Sequence, residues 1–119
     1  MKEVTFAFRK EEQDRITSEK QVAVMCNECH GYPGDFFYLN DAKYVITSIW
    51  KWQLDKCIDL LYPMFGCETP KDAALEWMKR VSIPNEYQSV WIHIFNSESN
   101  GGFFGHYPEV HECAKENTE

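Results

Sequence analysis

Side chains able to do chemistry gather in Cys26-Asn-Glu-Cys29-His30, with a second group, His106-Tyr-Pro-Glu-Val-His111-Glu-Cys113, near the C-terminus. Thiolate and imidazole are ligands that zinc prefers, and two residues between cysteines let one turn present both sulfurs to a single ion. Cys26, Cys29, His111 and Cys113 supply four ligands if the C-terminal segment folds back onto the Cys26 loop. The His-x-Cys half matches no standard zinc spacing, so no metal ligand is assigned. Cys-x-x-Cys-His also fits covalent haem attachment, which needs an export route that Met-Lys-Glu-Val-Thr at the N-terminus does not provide. A redox pair would sit at a helix start, whereas Gly31-Tyr-Pro-Gly34 marks a loop after a strand. Cys26 as nucleophile with His30 as base lacks a third group to orient the base. The plain alternative is two unrelated, semi-buried thiols, with Cys57 and Cys67 as small apolar core fillers. No cofactor is expected.

Two further patterns invite a ligand. Trp50-Lys51-Trp52 suits base stacking with a cation beside it, although strand alternation puts both indoles on one face with Lys51 opposite, and packing of at least one tryptophan in the core is the simpler reading. In Trp91-Ile-His93-Ile-Phe95 the histidine shares a face with two aromatics, which favours a hydrogen-bonded core or cleft histidine over a catalytic base. Arg9, Lys10, Arg15 and Lys20 can line a cleft edge, but Glu11, Glu12, Asp14 and Glu19 alternate with them, which describes a solvated mixed face.

These groups must be held by short elements. Val4 to Phe8 alternates as a strand does; Arg9 to Ser18 fits a short helix whose Ile16 turns inward; Gln21 to Cys26 is a second strand. After the Gly31, Pro33 and Gly34 breakers, Asp35 to Leu39 and Tyr44 to Trp50 are strands joined by a turn at Asn40 and Asp41. Leu54, Cys57, Ile58 and Leu61 mark an amphipathic helix over 53–62. Thr69 and Pro70 cap another, with Ala73, Ala74 or Leu75, Trp77 and Met78 inward and an end near Val81. Ser89 to Phe95 is the most apolar strand and belongs at the centre of a sheet. Residues 96 to 119 are expected as an extension with mobile terminal residues. The order points to a small α+β domain around a bent sheet or open barrel.

With 119 residues, 18 of them aromatic (Trp 4, Tyr 6, Phe 8), the chain is sized for one domain with a core that needs no disulfides. Twelve basic and 19 acidic residues leave a charge of −7, against non-specific attraction to duplex DNA or an anionic membrane. Residues 96–119 hold five acidic residues and one basic one. No apolar run is long enough to span a bilayer, and neither that nor the N-terminus indicates export; a cytoplasmic protein with reduced thiols is expected.

Ile16-Thr-Ser-Glu-Lys20, the Gly34-Asp35 pair opening a strand, Tyr44-Val-Ile-Thr-Ser-Ile49, and Leu60-Leu-Tyr-Pro-Met-Phe-Gly66 followed by Thr69-Pro70 and Trp77 occur in an order and spacing that resemble the ASCH domain family. The fold of that family is similar to that of PUA RNA-binding domains. The resemblance implies a small PUA-like open β-barrel or strongly bent mixed sheet flanked by short helices over residues 1–95, with 96–119 outside it. It implies a cleft between the Ile16–Cys26 segment and the strand and helix after Asp35, with Lys20, Gln21, Val24, Cys26, Asp35 and Phe65 as candidate ligand contacts. Gly34 and Asp35 also have a structural explanation: glycine permits the turn, and the carboxylate can accept backbone N–H bonds.

Small bacterial members of the family are amidohydrolases of an acetylated cytidine, with the motif Gly, basic, Lys, Thr, any, Thr, any, Arg. The corresponding stretch here is Glu19-Lys20-Gln21-Val22-Ala23-Val24-Met25-Cys26. Gln21 stands in the position of the catalytic lysine, Val24 in that of the threonine and Cys26 in that of the arginine, while the glutamate position falls near Phe65. Valine has no hydroxyl and glutamine takes up no proton, so this hydrolysis lacks its parts. The expectation is a module that binds RNA or a modified nucleoside without catalysis. The alternatives are an altered amidohydrolase acting on an acylated nucleoside and a protein-interaction domain with a Cys/His metal site. The residues leave the oligomeric state open.

Overall fold

Asn40 and Asp41 take positive φ values of 53° and 68°, the geometry of a two-residue hairpin turn whose twist matches that of its strands. They join β2 (Phe36–Leu39) to β3 (Ala42–Gln53), with Leu39 opposite Ala42. The computed structural model describes residues 1–81, 85 and 87–98. Along the chain these form α1 (Lys10–Thr17), β1 (Ala23–Cys26), β2, β3, α2 (Leu54–Leu61), a 3-10 turn (Tyr62–Phe65), α3 (Pro70–Arg80) and β4 (Ser89–Ser97).

The four strands lie in the order β1-β4-β3-β2, every neighbouring pair antiparallel, so the apolar β4 is internal as its composition requires. A register shift between Ile46 and Ser48 marks a bulge in β3, which adds twist and helps to curl the sheet into a half-barrel. β3 is longer than the expected Tyr44–Trp50 at both ends, and β4 runs on through Asn96 and Ser97, paired with Val45 and Tyr44.

Strand alternation divides the core between the two faces. Ala23, Met25, Val90 and Ile92 pack with Leu54, Cys57, Phe65, Ala73 and Trp77 beneath α2, the 3-10 turn and α3. Val24, Cys26, Tyr44 and Phe95 pack on the other face with Phe37, Leu39 and Ile16 of α1. Val4, Phe6 and Phe8 cover that second face, but the Val4–Phe8 strand expected from alternation does not form. A lone bridge links Glu3 to Phe36, with Val4 N–H donating to Phe36 C=O at 2.7 Å. Alternation puts Phe6 and Phe8 on one side, and their rings gain more by stacking at 5.2 Å and meeting Phe37 than by extending the sheet edge.

α3 opens as its sequence dictates: Thr69 Oγ1 accepts from Asp72 N–H at 3.1 Å, and Pro70 occupies the first turn. Its buried stripe is narrower than expected. Ala73 and Trp77 are inside, whereas Leu75 and Met78 are 47% and 52% exposed, because the helix packs along one edge of the domain and turns Glu76 and Arg80 toward α1. Trp52 packs on the core while Trp50 is 49% exposed. No helix among the described residues is long and apolar enough to cross a membrane.

Candidate ligand cleft

β1 lies at an edge of the sheet, and its outer side needs a cover. Val22 N–H donates to Met64 C=O at 2.9 Å, tying the approach to β1 to the 3-10 turn. Beyond that bond α1 and α3 reach across the edge from opposite faces and clasp each other through charged side chains. Arg9 and Arg15 both bind Glu76 Oε1, Arg15 Nη2 at 3.1 Å, and Arg80 binds Glu12 Oε2. Gly66, at φ 78°, makes this closure possible: a Cβ there would stand 2.8 Å from Arg15 Cδ.

Under the clasp lies a small space of about 20 Å³, room for a single water, floored by Val24, Met25, Phe65 and Trp77. Gln21 lines it, 3% exposed, and its amide is used on both sides: Oε1 accepts from Arg15 Nε at 3.0 Å and Nε2 donates to Ala23 C=O at 2.9 Å. Gln21 also borders a larger opening of about 130 Å³, formed with Ile16, Glu19, Tyr44, Phe95, Asn96 and Ser97. Three of the six candidate contacts, Gln21, Val24 and Phe65, therefore meet around one small space. Its opposite wall is α3 and the 3-10 turn, not the elements directly after Asp35. The larger opening does face β3, through Tyr44.

The other candidates are placed elsewhere. Lys20 is exposed at the rim, with its carbonyl against Gly66. Cys26 is buried, which pushes its thiol up to about 12 even though Arg80 pulls it down, so it carries no thiolate at neutral pH. No hydrogen bond joins it to His30 among the described residues. Asp35 is buried beyond the cleft, where its carboxylate accepts Lys2 N–H at 3.0 Å and Tyr32 N–H at 2.9 Å, as a turn-stabilising aspartate does. Cys29 is exposed, its thiol donating to Gly31 C=O. His111 and Cys113 lie outside the described residues, among which no three His, Cys, Asp or Glu side chains gather as metal ligands. His93 is fully buried among aromatic rings, and its Nε2 accepts from His30 N–H at 2.9 Å.

The clasp itself corrects the mixed-face reading of residues 9 to 20. Lys10 does pair locally, with Asp14, but the side chains of Arg9 and Arg15 are only 25% and 21% exposed and are held across the fold by Glu76. Glu12 is 5% exposed: its Oε1 accepts from Arg9 N–H at the start of α1, and its Oε2 takes Arg80. Burial raises the Glu76 carboxyl, but Arg15 and Arg9 outweigh it and hold the group below its ordinary range. Sequence reasoning placed Glu12 on a solvated face and passed over Glu76 and Arg80. The available signal was helical spacing, which puts Arg9, Glu12 and Arg15 on one face and Glu76 and Arg80 on another.

Removing the shared carboxylate leaves two half-buried guanidiniums unpaired. Glu76→Ala is therefore expected to lower unfolding free energy by roughly 2 kcal/mol, less than for a fully buried pair. Equilibrium urea unfolding checks this, and an unchanged midpoint contradicts a stabilising clasp.

No family model matches the sequence, and no curated protein matches it. Among solved structures the chain is similar to the crystal structure of the ASCH domain from Lactobacillus crispatus JV V101, with a TM-score of 0.55 over 81% of this chain and 78% of that one, at 13% identity. The curled four-stranded sheet with its three helices is the fold of an ASCH-like domain.

Proposed function

We propose that this ASCH-like module binds RNA or a modified nucleoside in the opening beside Gln21 and does not turn the ligand over. The observation that carries the reading is the difference in size between the two spaces on either side of Gln21. The smaller one admits one water. The larger one, about 130 Å³, is far below the roughly 300 Å³ at which drug-sized pockets begin, and suits a single base. Ile16 and Phe95 form its apolar floor, while the Asn96 side chain at its rim carries a donor and an acceptor of the kind by which a base edge is read. A chain of charge −7 gains little from phosphate, which favours recognition of one nucleoside or one unstacked base over a long backbone track.

Chemistry supports the second half of the reading. Gln21 takes up no proton, Val24 has no hydroxyl, Phe65 is apolar and buried, and Glu76 is held ionised by two arginines, unsuited to donating a proton at neutral pH. The Cys26 thiol is protonated at that pH.

The test is an NMR titration with cytidine and N4-acetylcytidine, combined with chromatography of the acetylated compound after long incubation. Shifts at Gln21, Tyr44 and Asn96 are expected, lost in Asn96→Ala, with the acetyl group intact. Turnover that survives purification and disappears in Glu76→Gln would replace this reading with the altered amidohydrolase. Absence of any shift with nucleosides and with short single-stranded RNA would remove the ligand class.

A further inference from the structure

A separate groove runs between α2 and α3 on the far side of Trp77, with a volume of about 560 Å³. Its floor is Leu54 and Trp77, 2% and 3% exposed, and Ile58 and the half-exposed Met78 form its walls. Asp55 and Asp59 line the α2 side, one helical turn apart. Like charges at this spacing repel and weaken a helix. Among the described residues neither carboxylate has a salt bridge; Asp55 accepts only the Lys56 backbone N–H, at 2.8 Å. An apolar slot edged by two carboxylates without a salt bridge is complementary to a surface that brings large apolar side chains and cations together.

We infer that this groove docks a basic amphipathic helix of a partner protein, with its apolar stripe between Ile58 and Met78 and its lysines or arginines on Asp55 and Asp59. Helix-in-groove recognition has this form, and a flexible thioether wall adapts to the side chain it receives. Charge selects the occupant. The chain's own residues 96–119, with five acidic residues and one basic one, are repelled by the groove edge, and a second copy of charge −7 is repelled in general. Nucleic acid is repelled for the same reason.

The probe is a synthetic leucine-lysine peptide of about 14 residues with leucines at helical spacing, titrated into isotopically labelled protein and followed by NMR. A second peptide has every lysine replaced by glutamate. Shifts are expected at Asp55, Ile58, Asp59 and Met78 with the lysine peptide alone. Asp55→Asn with Asp59→Asn is expected to weaken binding about fivefold, the effect of two exposed ion pairs, without lowering the melting temperature. Met78→Ser gives an independent reading of the apolar wall should the double variant fold poorly, and it too weakens binding. The inference is overturned by parent-like affinity in both variants, by shifts spread over the whole acidic surface, or by equal binding of the glutamate peptide. Groove shifts that follow protein concentration without peptide overturn it in favour of self-association, and no shift at all overturns it outright.

Discussion

Phe95→Ala is expected to lower the stability of the domain by about 4 kcal/mol, within the range for deleting a buried aromatic ring. Phe95 is 1% exposed on the internal strand β4, and its ring meets Phe37 edge-on at 5.1 Å, Tyr44 at 6.1 Å and Phe8 at 6.4 Å. Phe37 and Tyr44 are themselves stacked at 5.3 Å, and Phe37 meets both Phe6 and Phe8, so no one neighbour can fill the void without leaving another. The loss also reaches the opening beside Gln21, of which Phe95 and Tyr44 form part. Phe95→Leu, which restores most of the volume, is expected to recover more than half of the loss. Urea unfolding of the three proteins checks this, and a midpoint for Phe95→Ala within experimental error of the parent would place the ring outside the core.

Mild acid is the second large effect. His93 is fully buried, and burial pushes its pKa down to about 4 from an ordinary 6.5, with nearby His30 adding to the depression. Above pH 6.5 the ring is neutral in folded and unfolded chains alike, and its contribution to stability is complete. As pH falls below 6.5 the unfolded chain takes up a proton that the folded one refuses, so stability declines until about pH 4, where the folded ring is protonated as well. The full loss is roughly 3 kcal/mol, of which about 2 kcal/mol falls between pH 6.5 and 5. That upper part of the window isolates the histidine. The Glu76 carboxyl lies below its ordinary range, so its contribution is complete above that range and disappears only at lower pH. Unfolding free energies at pH 7 and pH 5 should differ by that amount in the parent. The difference should shrink in His93→Gln, which keeps an acceptor for His30 N–H. An equal pH dependence in both proteins would refute the assignment to His93.

Local chemistry in the sequence was enough to set most of the elements. The hairpin at Asn40 and Asp41, the Thr69-Pro70 helix start, the inward Ile16 and the internal place of Ser89–Phe95 depend on neighbours within a few residues, where turn preference, capping and periodicity act directly. The turn role of Asp35 was legible for the same reason. The ASCH-like fold could be inferred from these pieces because their order limits how one sheet can be covered. Tertiary structure alone decided which charges matter. Glu12 and Arg80 are 68 positions apart, and Arg15 and Glu76 are 61 apart. Their pairing depends on two helices crossing one sheet edge, whereas a pattern read along the chain sees only that each charge has an opposite neighbour. Periodicity likewise gave Val4–Phe8 a strand's side-chain alternation without showing that those rings would cover a face of the sheet instead of pairing at its edge. It turned Met78, and Ala74 or Leu75, inward, without showing that α3 lies at an edge and leaves Leu75 and Met78 exposed. Burial and long-range pairing depend on the packing of the whole chain, and here they decided what the cleft is made of.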